Sequence, residues 1–211
     1  LLAHALFEPT VLPAGAFEWT TVVLLASLPP GPAFFVWDDA VKHGDTQITG
    51  WTVTGDSVDY IGSYWPAADG SRSLDLSGNA GGGVAQAFDT VAGRTYRVGF
   101  ALAGNPDCAP TVKTVQVQAT GAPSVNYLFD TTNSSLSNMG WAAQTYTFTA
   151  TGTTTTLAFA SQDNTGCGPA LDNVAVNDIT PAPVPALSTW GLLGLAGLLG
   201  FAAMRGRRRI G

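Results

Sequence analysis

The segment Tyr96-Arg-Val-Gly-Phe-Ala-Leu102 places a large apolar side chain at every second position. Arginine, glycine and alanine fill the positions between them. Successive side chains of a β-strand point to opposite faces, so this alternation predicts a strand with one face turned toward a core.

The same alternation recurs along the chain from Ile48 onward. Short turns such as Gly55-Asp56 and residues 68–71 separate the segments, and Gly81-Gly-Gly83 indicates a bulge or a tight bend. About nine short strands with almost no helical periodicity predict an all-β fold, an antiparallel β-sandwich or jelly roll. The other strands are marked by Trp51 and Val53, Val58 and Tyr60, Leu74 and Leu76, Val115 and Val117, Val125 with Tyr127 and Phe129, Tyr146 and Phe148, Leu157 and Phe159, and Val174 and Val176.

The composition is typical of a turn-rich extracellular β protein. Of the 211 residues, 11% are charged and 25 are glycine. All 15 acidic residues but only five basic ones precede the C-terminal arginine cluster, which gives that part a formal net charge of −10. Such a surface repels phosphate backbones, so it argues against nucleic acid as a partner and favours a bound cation such as Ca²⁺.

The first part of the chain is less regular. Leu1 to Phe7 are predicted to form a first strand, in a chain that starts without methionine, as a mature or truncated product would. Val22 to Leu28 is too short to span a membrane, and Pro29-Pro-Gly-Pro32 interrupts any regular element. Residues 18–47 are therefore predicted to be an irregular insertion, or a mistranslated stretch, within a β-sandwich ectodomain covering residues 1–179.

The C-terminal region from Leu187 to Met204 contains no charged residue. As a helix these 18 residues would be ~27 Å long, close to the ~30 Å hydrocarbon thickness of a bilayer. This predicts a Pro-rich linker at 180–186, a transmembrane helix at 187–204 and a cytoplasmic tail at 205–211, with the ectodomain outside the membrane. The stop-transfer residues are Arg205, Arg207, Arg208 and Arg209.

Residues 184–209 combine a short motif, an apolar helix and an arginine cluster. This arrangement resembles the IPTL-type C-terminal sorting signal of Gram-negative bacteria, which is similar in logic to the PEP-type signals read by exosortases. The resemblance implies export across the inner membrane, a sorting transpeptidase or protease of the exosortase type, and delivery to the cell surface or extracellular matrix. A plain single-pass membrane anchor is the alternative. The motif residues are Val184, Pro185, Ala186, Leu187, Ser188, Trp190 and Gly191.

Two cysteines, Cys108 and Cys167, are the only ones in the chain. In an exported domain such a pair is predicted to form one disulfide, which would join the Asn105-Pro-Asp-Cys and Asn164-Thr-Gly-Cys loops. A metal site or a catalytic thiol is the alternative, although no histidine lies nearby in the sequence.

Several motifs between residues 48 and 176 occur in the order of a known family. They resemble the choice-of-anchor C family of bacterial surface proteins, which is similar to the galactose-binding-like jelly rolls that include many carbohydrate-binding modules. The resemblance implies an exported domain of that fold. The motifs include Ile48-Thr-Gly-Trp-Thr-Val53, Trp65-Pro-Ala-Ala-Asp-Gly-Ser-Arg72, Met139-Gly-Trp141 and Gly168-Pro-Ala-Leu-Asp-Asn-Val174.

The same resemblance implies one structural Ca²⁺ where the first strand meets the last. Its ligands would be Glu8 and Asp172, with Glu18 in place of Glu8 if the first strand is misplaced. Calcium takes six to eight oxygen ligands, so backbone carbonyls would have to complete the site. The alternative is that Asp172 caps a turn and Glu8 is solvated.

A glycan-binding site requires exposed aromatic rings beside amides or carboxylates, because pyranose faces pack on flat apolar surfaces. Asn105 and Asp107 are candidates for a neighbouring loop, whereas Tyr60 alternates with Val58 and is expected to point inward. The alternative is that these rings belong to the core. The predicted glycan-binding residues are Tyr64, Trp65, Asp69 and Arg72.

Catalytic signals are weak, because the chain lacks the common motifs of serine and metal hydrolases. A glycosidase needs only two carboxylates, for which Asp69 with Asp75 or Asp56 with Asp59 could serve. Aspartates next to glycine or serine also stabilise turns. We therefore expect a non-catalytic surface or extracellular-matrix protein. A carbohydrate-binding module for envelope or exopolysaccharide glycans is the alternative, and a glycoside hydrolase-like enzyme is a minor one.

Overall fold

The computed structural model describes residues 40–42, 44 and 48–181. The chain divides into two units, Leu1–Thr180 and Pro181–Gly211, and every strand of the described residues lies in the first. The strands are β1 (Ala40–Lys42), β2 (Thr52–Gly55), β3 (Ser57–Ile61), β4 (Ser73–Asp75), β5 (Gly82–Asp89), β6 (Thr95–Gly104), β7 (Val112–Ala119), β8 (Val125–Asp130), β9 (Ala142–Thr149), β10 (Thr154–Ser161) and β11 (Pro169–Asp178), with a 3₁₀ turn at Thr131–Asn133.

Two antiparallel sheets build the domain. The six-stranded sheet has the order β1-β3-β4-β11-β6-β9, and the five-stranded sheet has the order β2-β5-β10-β7-β8. The predicted all-β sandwich is therefore confirmed, and the predicted strands correspond to all of these except β1 and β5. Strand β1 lies inside the segment that was expected to be irregular, where it pairs with β3.

The core lies between the two sheets and follows the predicted alternation. In β6, Val98 and Leu102 are fully buried, whereas Arg97 is exposed. Phe100 of β6 meets Phe159 of β10 across the sandwich, with ring centroids 5.2 Å apart in an edge-to-face arrangement. Burial of these apolar side chains from both sheets supplies the main stabilisation of the domain.

The glycine run was expected to form a bulge or a tight bend; a bend at residues 78–80 precedes it, and the run itself leads into strand β5. This strand begins at Gly82 and pairs with β2 on one side and β10 on the other. A Cβ atom at Gly82 would lie 2.0 Å from the carbonyl oxygen of Ser57, and one at Gly83 would lie 2.4 Å from that of Phe159. Glycine is required here because other backbones approach too closely for any side chain.

Strand β11 contains a β-bulge. Its pairing with β6 shifts register between Asp172 and Ala175, and Asn173 adopts a positive φ of 47°. Asparagine tolerates this left-handed conformation better than most residues. Because the bulge adds one residue, Leu171 and Val174 both face the core although they are three positions apart.

The six-stranded sheet is also covered on the face opposite the main core. Ala103 and Ala170 alternate with the core residues of β6 and β11, so they point to this second face, and both are fully buried. They pack in a smaller apolar cluster with Trp65 and Met139. Trp65 belongs to residues 62–72, here called the Tyr64 loop, which therefore covers the sheet.

Candidate functional site

The Tyr64 loop is held in place first by its buried tryptophan. The Trp65 side chain is 2% exposed, and its Nε1 donates a hydrogen bond to Ser73 Oγ at 2.9 Å. The prediction that Trp65 presents its ring to a sugar is therefore wrong. The small side chains of Ala103 and Ala170 leave room for the indole on the sheet, and burial of this large apolar group is the reason that it turns inward.

A buried carboxylate holds the centre of the loop. Oδ2 of Asp172, on β11, accepts hydrogen bonds from the backbone N–H groups of Ala68 at 2.7 Å and Asp69 at 3.0 Å. Oδ1 accepts from the N–H of Asn173 at 2.7 Å. Burial raises the pKa of Asp172, and these three donors oppose that rise. Asp172 therefore fixes the loop to the sheet.

Two further contacts complete the attachment. Trp141 donates from Nε1 to the carbonyl oxygen of Pro66 at 3.0 Å. The guanidinium carbon of Arg72 lies 5.3 Å from the ring centroid of Tyr60, in a cation–π contact. A Cβ atom at Gly62 would lie 2.6 Å from Arg72 Nη1, so glycine makes room for this guanidinium. The loop is thus attached at several points between Trp65 and Arg72.

An open groove of about 600 Å³ lies along the loop. The Tyr64 loop forms one side, and Leu136 and Ser137 contribute to the other. None of the described residues that line this groove carries a charge. Tyr64 is 38% exposed and is tilted by 52° from the buried Trp65 ring. Of the two predicted sugar-binding rings, only Tyr64 is exposed to solvent.

The hydroxyl of Tyr64 connects the groove to the loop after β6. It donates a hydrogen bond to Asp107 Oδ2, and this bond, together with burial, raises the pKa of Tyr64. The backbone N–H of Asp107 donates to Asn105 Oδ1 at 3.0 Å. The structure thus places the loop that contains Asn105 and Asp107 next to Tyr64, as predicted. Asp69, also predicted, is exposed, and its Oδ1 accepts from the Gly70 N–H at 3.0 Å.

Asp75 lies beneath this neighbouring loop and is fully buried. Its Oδ1 accepts from the N–H groups of Ser77 at 3.0 Å and Gly168 at 2.9 Å, and its Oδ2 accepts from Asn105 Nδ2 at 2.9 Å. Burial raises the pKa of Asp75 to about 7, although the three donors oppose the rise. Asp75 therefore positions Asn105 and, through it, Asp107.

The disulfide prediction is confirmed: Cys108 and Cys167 are bonded, with Cα atoms 5.9 Å apart. Lys113 is fully buried, and its Nζ donates to the carbonyl oxygens of Cys108 at 2.8 Å and Cys167 at 2.7 Å. Burial lowers the pKa of Lys113, while the charges of Asp163 and Asp75 oppose that effect. One buried ammonium therefore ties together the two segments that the disulfide also joins.

The calcium site predicted at Asp172 stays a prediction. Three N–H donors point at the two oxygens of Asp172, which leaves about one of the four lone-pair sites of the carboxylate for a cation. Within the described residues, no three His, Cys, Asp or Glu side chains are grouped closely enough to hold a metal ion. Glu8 and Glu18 lie outside the described residues.

In each acid pair considered for glycoside hydrolysis, the two carboxylates differ in exposure. Asp75 is fully buried, whereas Asp69 is exposed on the Tyr64 loop. Asp56 is exposed and accepts from Ser57 Oγ at 2.9 Å, whereas Asp59 is half-buried on β3 opposite Asp75. Each pair thus combines one exposed carboxylate with one that is fully or partly buried.

Several predictions concern segments that the structure does not describe. These are the first strand at 1–7, the sorting motif at 184–191, the transmembrane helix at 187–204 and the arginines at 205–209. Within residues 40–42, 44 and 48–181, no helix is long and apolar enough to cross a bilayer.

Two known proteins share sequence with this chain. It is 35% identical to halomucin of Haloquadratum walsbyi over 134 residues, which is 62% of this chain and 1% of halomucin. It is 49% identical over 49 residues to the aromatic amino acid exporter YddG of Ancylobacter novellus, which is 23% of this chain and 17% of the exporter. The chain spans only a small part of each relative, so neither name assigns it an activity.

The chain is also similar to solved carbohydrate-binding modules. The CBM22-1 xylan-binding domain of Paenibacillus barcinonensis Xyn10C matches with a TM-score of 0.46 and 14% identity, over 68% of this chain and 93% of that domain. At a TM-score this low, the fold assignment rests on the strand pairing described above.

Two sequence matches divide the chain. Residues 182–209 match the IPTL-CTERM motif, which confirms the resemblance to a sorting signal and indicates a cell-surface protein. The resemblance to the choice-of-anchor C family stays a prediction. Residues 29–177 match a family described as "Protein of unknown function (DUF642)", and this match begins inside the segment that was predicted to be an insertion. The chain therefore belongs to the DUF642 family.

Proposed function

We propose that this protein is a non-catalytic component of the cell surface or extracellular matrix that contacts polysaccharide through the groove beside Tyr64. The observation that carries the proposal is the exposed Tyr64 ring on a loop fixed by four different side-chain contacts. A sugar ring packs its apolar face on an aromatic ring of this kind.

The groove suits a flexible polymer better than a small molecule. It is open, and its lining includes Ser63, Ser71 and Ser137, whose hydroxyls can hydrogen-bond to sugar hydroxyls. The attached loop loses little conformational entropy on binding, because it is already ordered. A polysaccharide passing along the groove could therefore bind weakly at each site and gain strength from many copies on a surface.

The tail supports the proposed location. An IPTL-CTERM motif at 182–209, which in the proposal contains a membrane helix at 187–204 and the arginine cluster, would carry the domain to the envelope for processing by an exosortase-type enzyme. The choice-of-anchor C resemblance fits this arrangement of a surface domain with a sorting tail. Fractionation of a Gram-negative host tests it: the full chain should be found in the envelope, and a chain ending at Thr180 should be released.

The non-catalytic part of the proposal rests on the carboxylates. Burial raises the pKa of Asp75 to about 7, which is in the range of a general acid, but its side chain is fully buried and bonded to three donors. It would have to leave this environment to reach a glycosidic oxygen. Incubation with candidate polysaccharides should release no reducing ends.

A glycan array tests binding. The full-length chain, solubilised in a zwitterionic detergent without a sugar headgroup, should bind a subset of polysaccharides. Tyr64→Ala should weaken this binding about tenfold or more, since it removes the ring. Leu128→Ala is the matched control, because Leu128 is an apolar residue that is 63% exposed on the five-stranded sheet. The proposal would be contradicted if Tyr64→Ala and Leu128→Ala bound polysaccharide with equal affinity, or if the unmodified protein bound no polysaccharide.

A further inference from the structure

The Tyr64 hydroxyl brings a carboxylate to the edge of the exposed ring. It donates to Asp107 Oδ2, and Asp107 is itself exposed. Among the described residues no hydrogen bond is formed by the second oxygen, Oδ1, which leaves an acceptor beside the ring. An aromatic face next to a charged acceptor suits a sugar that stacks on the ring and donates from its hydroxyl groups.

From this geometry we propose that the groove selects neutral sugars and discriminates against uronic acids and other anionic sugars. The inference rests on the proposed glycan-binding function and specifies its ligand class. A neutral pyranose presents hydroxyl donors to Asp107, whereas a uronate would place a second carboxylate there.

The position of Asp107 is fixed from both sides. On one side its N–H donates to Asn105, whose amide is bonded to the buried Asp75. On the other side Cys108 is held by the disulfide and by the Lys113 ammonium. The carboxylate therefore cannot move far when an anion approaches, and the repulsion remains.

The charges around the groove support this selection. The groove lining has no charged side chain, and Asp69 adds an exposed carboxylate on the same loop. The cation of the Tyr64 loop, Arg72, lies over the Tyr60 ring and beside Gly62 of the groove, so it is the group through which an anionic sugar would bind if this selection failed. Residues 48–181 contain ten aspartates, against three arginines and one lysine, so the net charge of this segment also repels anions.

The magnitude follows from Coulomb's law. Two unit charges about 4 Å apart in water repel by ~1 kcal/mol, which corresponds to a difference of about fivefold in affinity. The difference should decrease at high salt, since exposed charges are screened there.

Matched polymers provide the experiment. Alginate and polygalacturonate are each compared with their carboxyl-reduced forms, which differ from them only in the charged group, by affinity electrophoresis of the full-length chain in the same detergent. The carboxyl-reduced form of at least one polymer should bind about fivefold or more tightly at low salt, and the preference should shrink at high salt. Asp107→Asn should reduce the preference, whereas Asp89→Asn, which removes an exposed charge at the end of β5, should preserve it.

The possible failures are distinguishable. If the charged polymers bind as well as or better than their reduced forms, and Arg72→Gln abolishes that binding, the selection for neutral sugars is refuted while glycan binding stands. If no polymer in a broad neutral and acidic set binds, the proposed function fails and the inference fails with it.

Discussion

Replacing Asp75 by asparagine should remove most of the pH dependence of this protein's stability between about pH 4 and pH 7. Burial raises the pKa of Asp75 from an ordinary value of 3.8 to about 7 in the folded protein. The folded state therefore binds the proton more tightly than the unfolded state does. The resulting stabilisation is fully present below the unfolded pKa, and it is lost as the pH rises through the folded pKa.

The size of the effect follows from the shift. A pKa difference of one between the folded and unfolded states corresponds to about 1.4 kcal/mol of unfolding free energy. The free energy of unfolding should therefore fall by at most about 4 kcal/mol as the pH rises from about 4 to above 7. Asparagine cannot ionise, so the variant should lack this decline. The amide of the variant would also meet the N–H donors that now face the carboxylate, and this mismatch should add a destabilisation that does not itself vary with pH.

Urea denaturation followed by tryptophan fluorescence, repeated across this pH range, measures both proteins. The difference between the two stability curves isolates Asp75, because Asp172, whose pKa is also raised by burial, is present in both. Asp89→Asn removes an exposed carboxylate and should leave the decline intact. If the plots of unfolding free energy against pH are parallel for the unmodified protein and Asp75→Asn, the pH dependence does not come from the raised pKa of Asp75.

Three further outcomes concern stability and are measurable by the same denaturation assay. Replacing Cys108 and Cys167 by serine should cost ~4 kcal/mol on the chain-entropy model for cysteines 59 residues apart, and a cost near zero would show that other contacts fix the two segments. Gly82→Ala should destabilise the domain by several kcal/mol or prevent folding, because its Cβ would lie 2.0 Å from a carbonyl oxygen. Gly99→Ala in β6 is the control and should be tolerated, because a Cβ there would meet no other atom within 4 Å. Trp65→Ala should cost about 3–5 kcal/mol, and a loss below ~1 kcal/mol would contradict its burial on the sheet.

The alternation in β6 and its neighbours was sufficient to predict the sandwich, since a two-residue period assigns each side chain to a face. Strand β5 was missed because Gly82 and Gly83 lack side chains, so the alternation becomes visible only from Val84. The reason for those glycines is the approach of backbones distant in sequence, which no local pattern reports.

The candidate site was predicted in part. Tyr64 and the loop bearing Asp107 were correctly predicted to be neighbours. Trp65 was expected to be exposed because no sign of a second covered face lies near it in the sequence. That sign lies far away, in the small residues Ala103 and Ala170. Lys113 was also missed, although it precedes Val115 and Val117 in the inward-facing register of β7, where a lysine has to be buried.

The covering of the six-stranded sheet limits how ligand preference can be engineered. The residues that present Tyr64 to solvent also supply Trp65 to the sheet and receive Asp172 beneath them. Exchange of the whole loop for that of another module would uncover an apolar face and remove the two N–H donors that now face Oδ2 of the buried Asp172. New specificities should therefore be sought by point substitutions at exposed positions of the loop, such as Ser63 and Ser71, and not by replacing the whole loop.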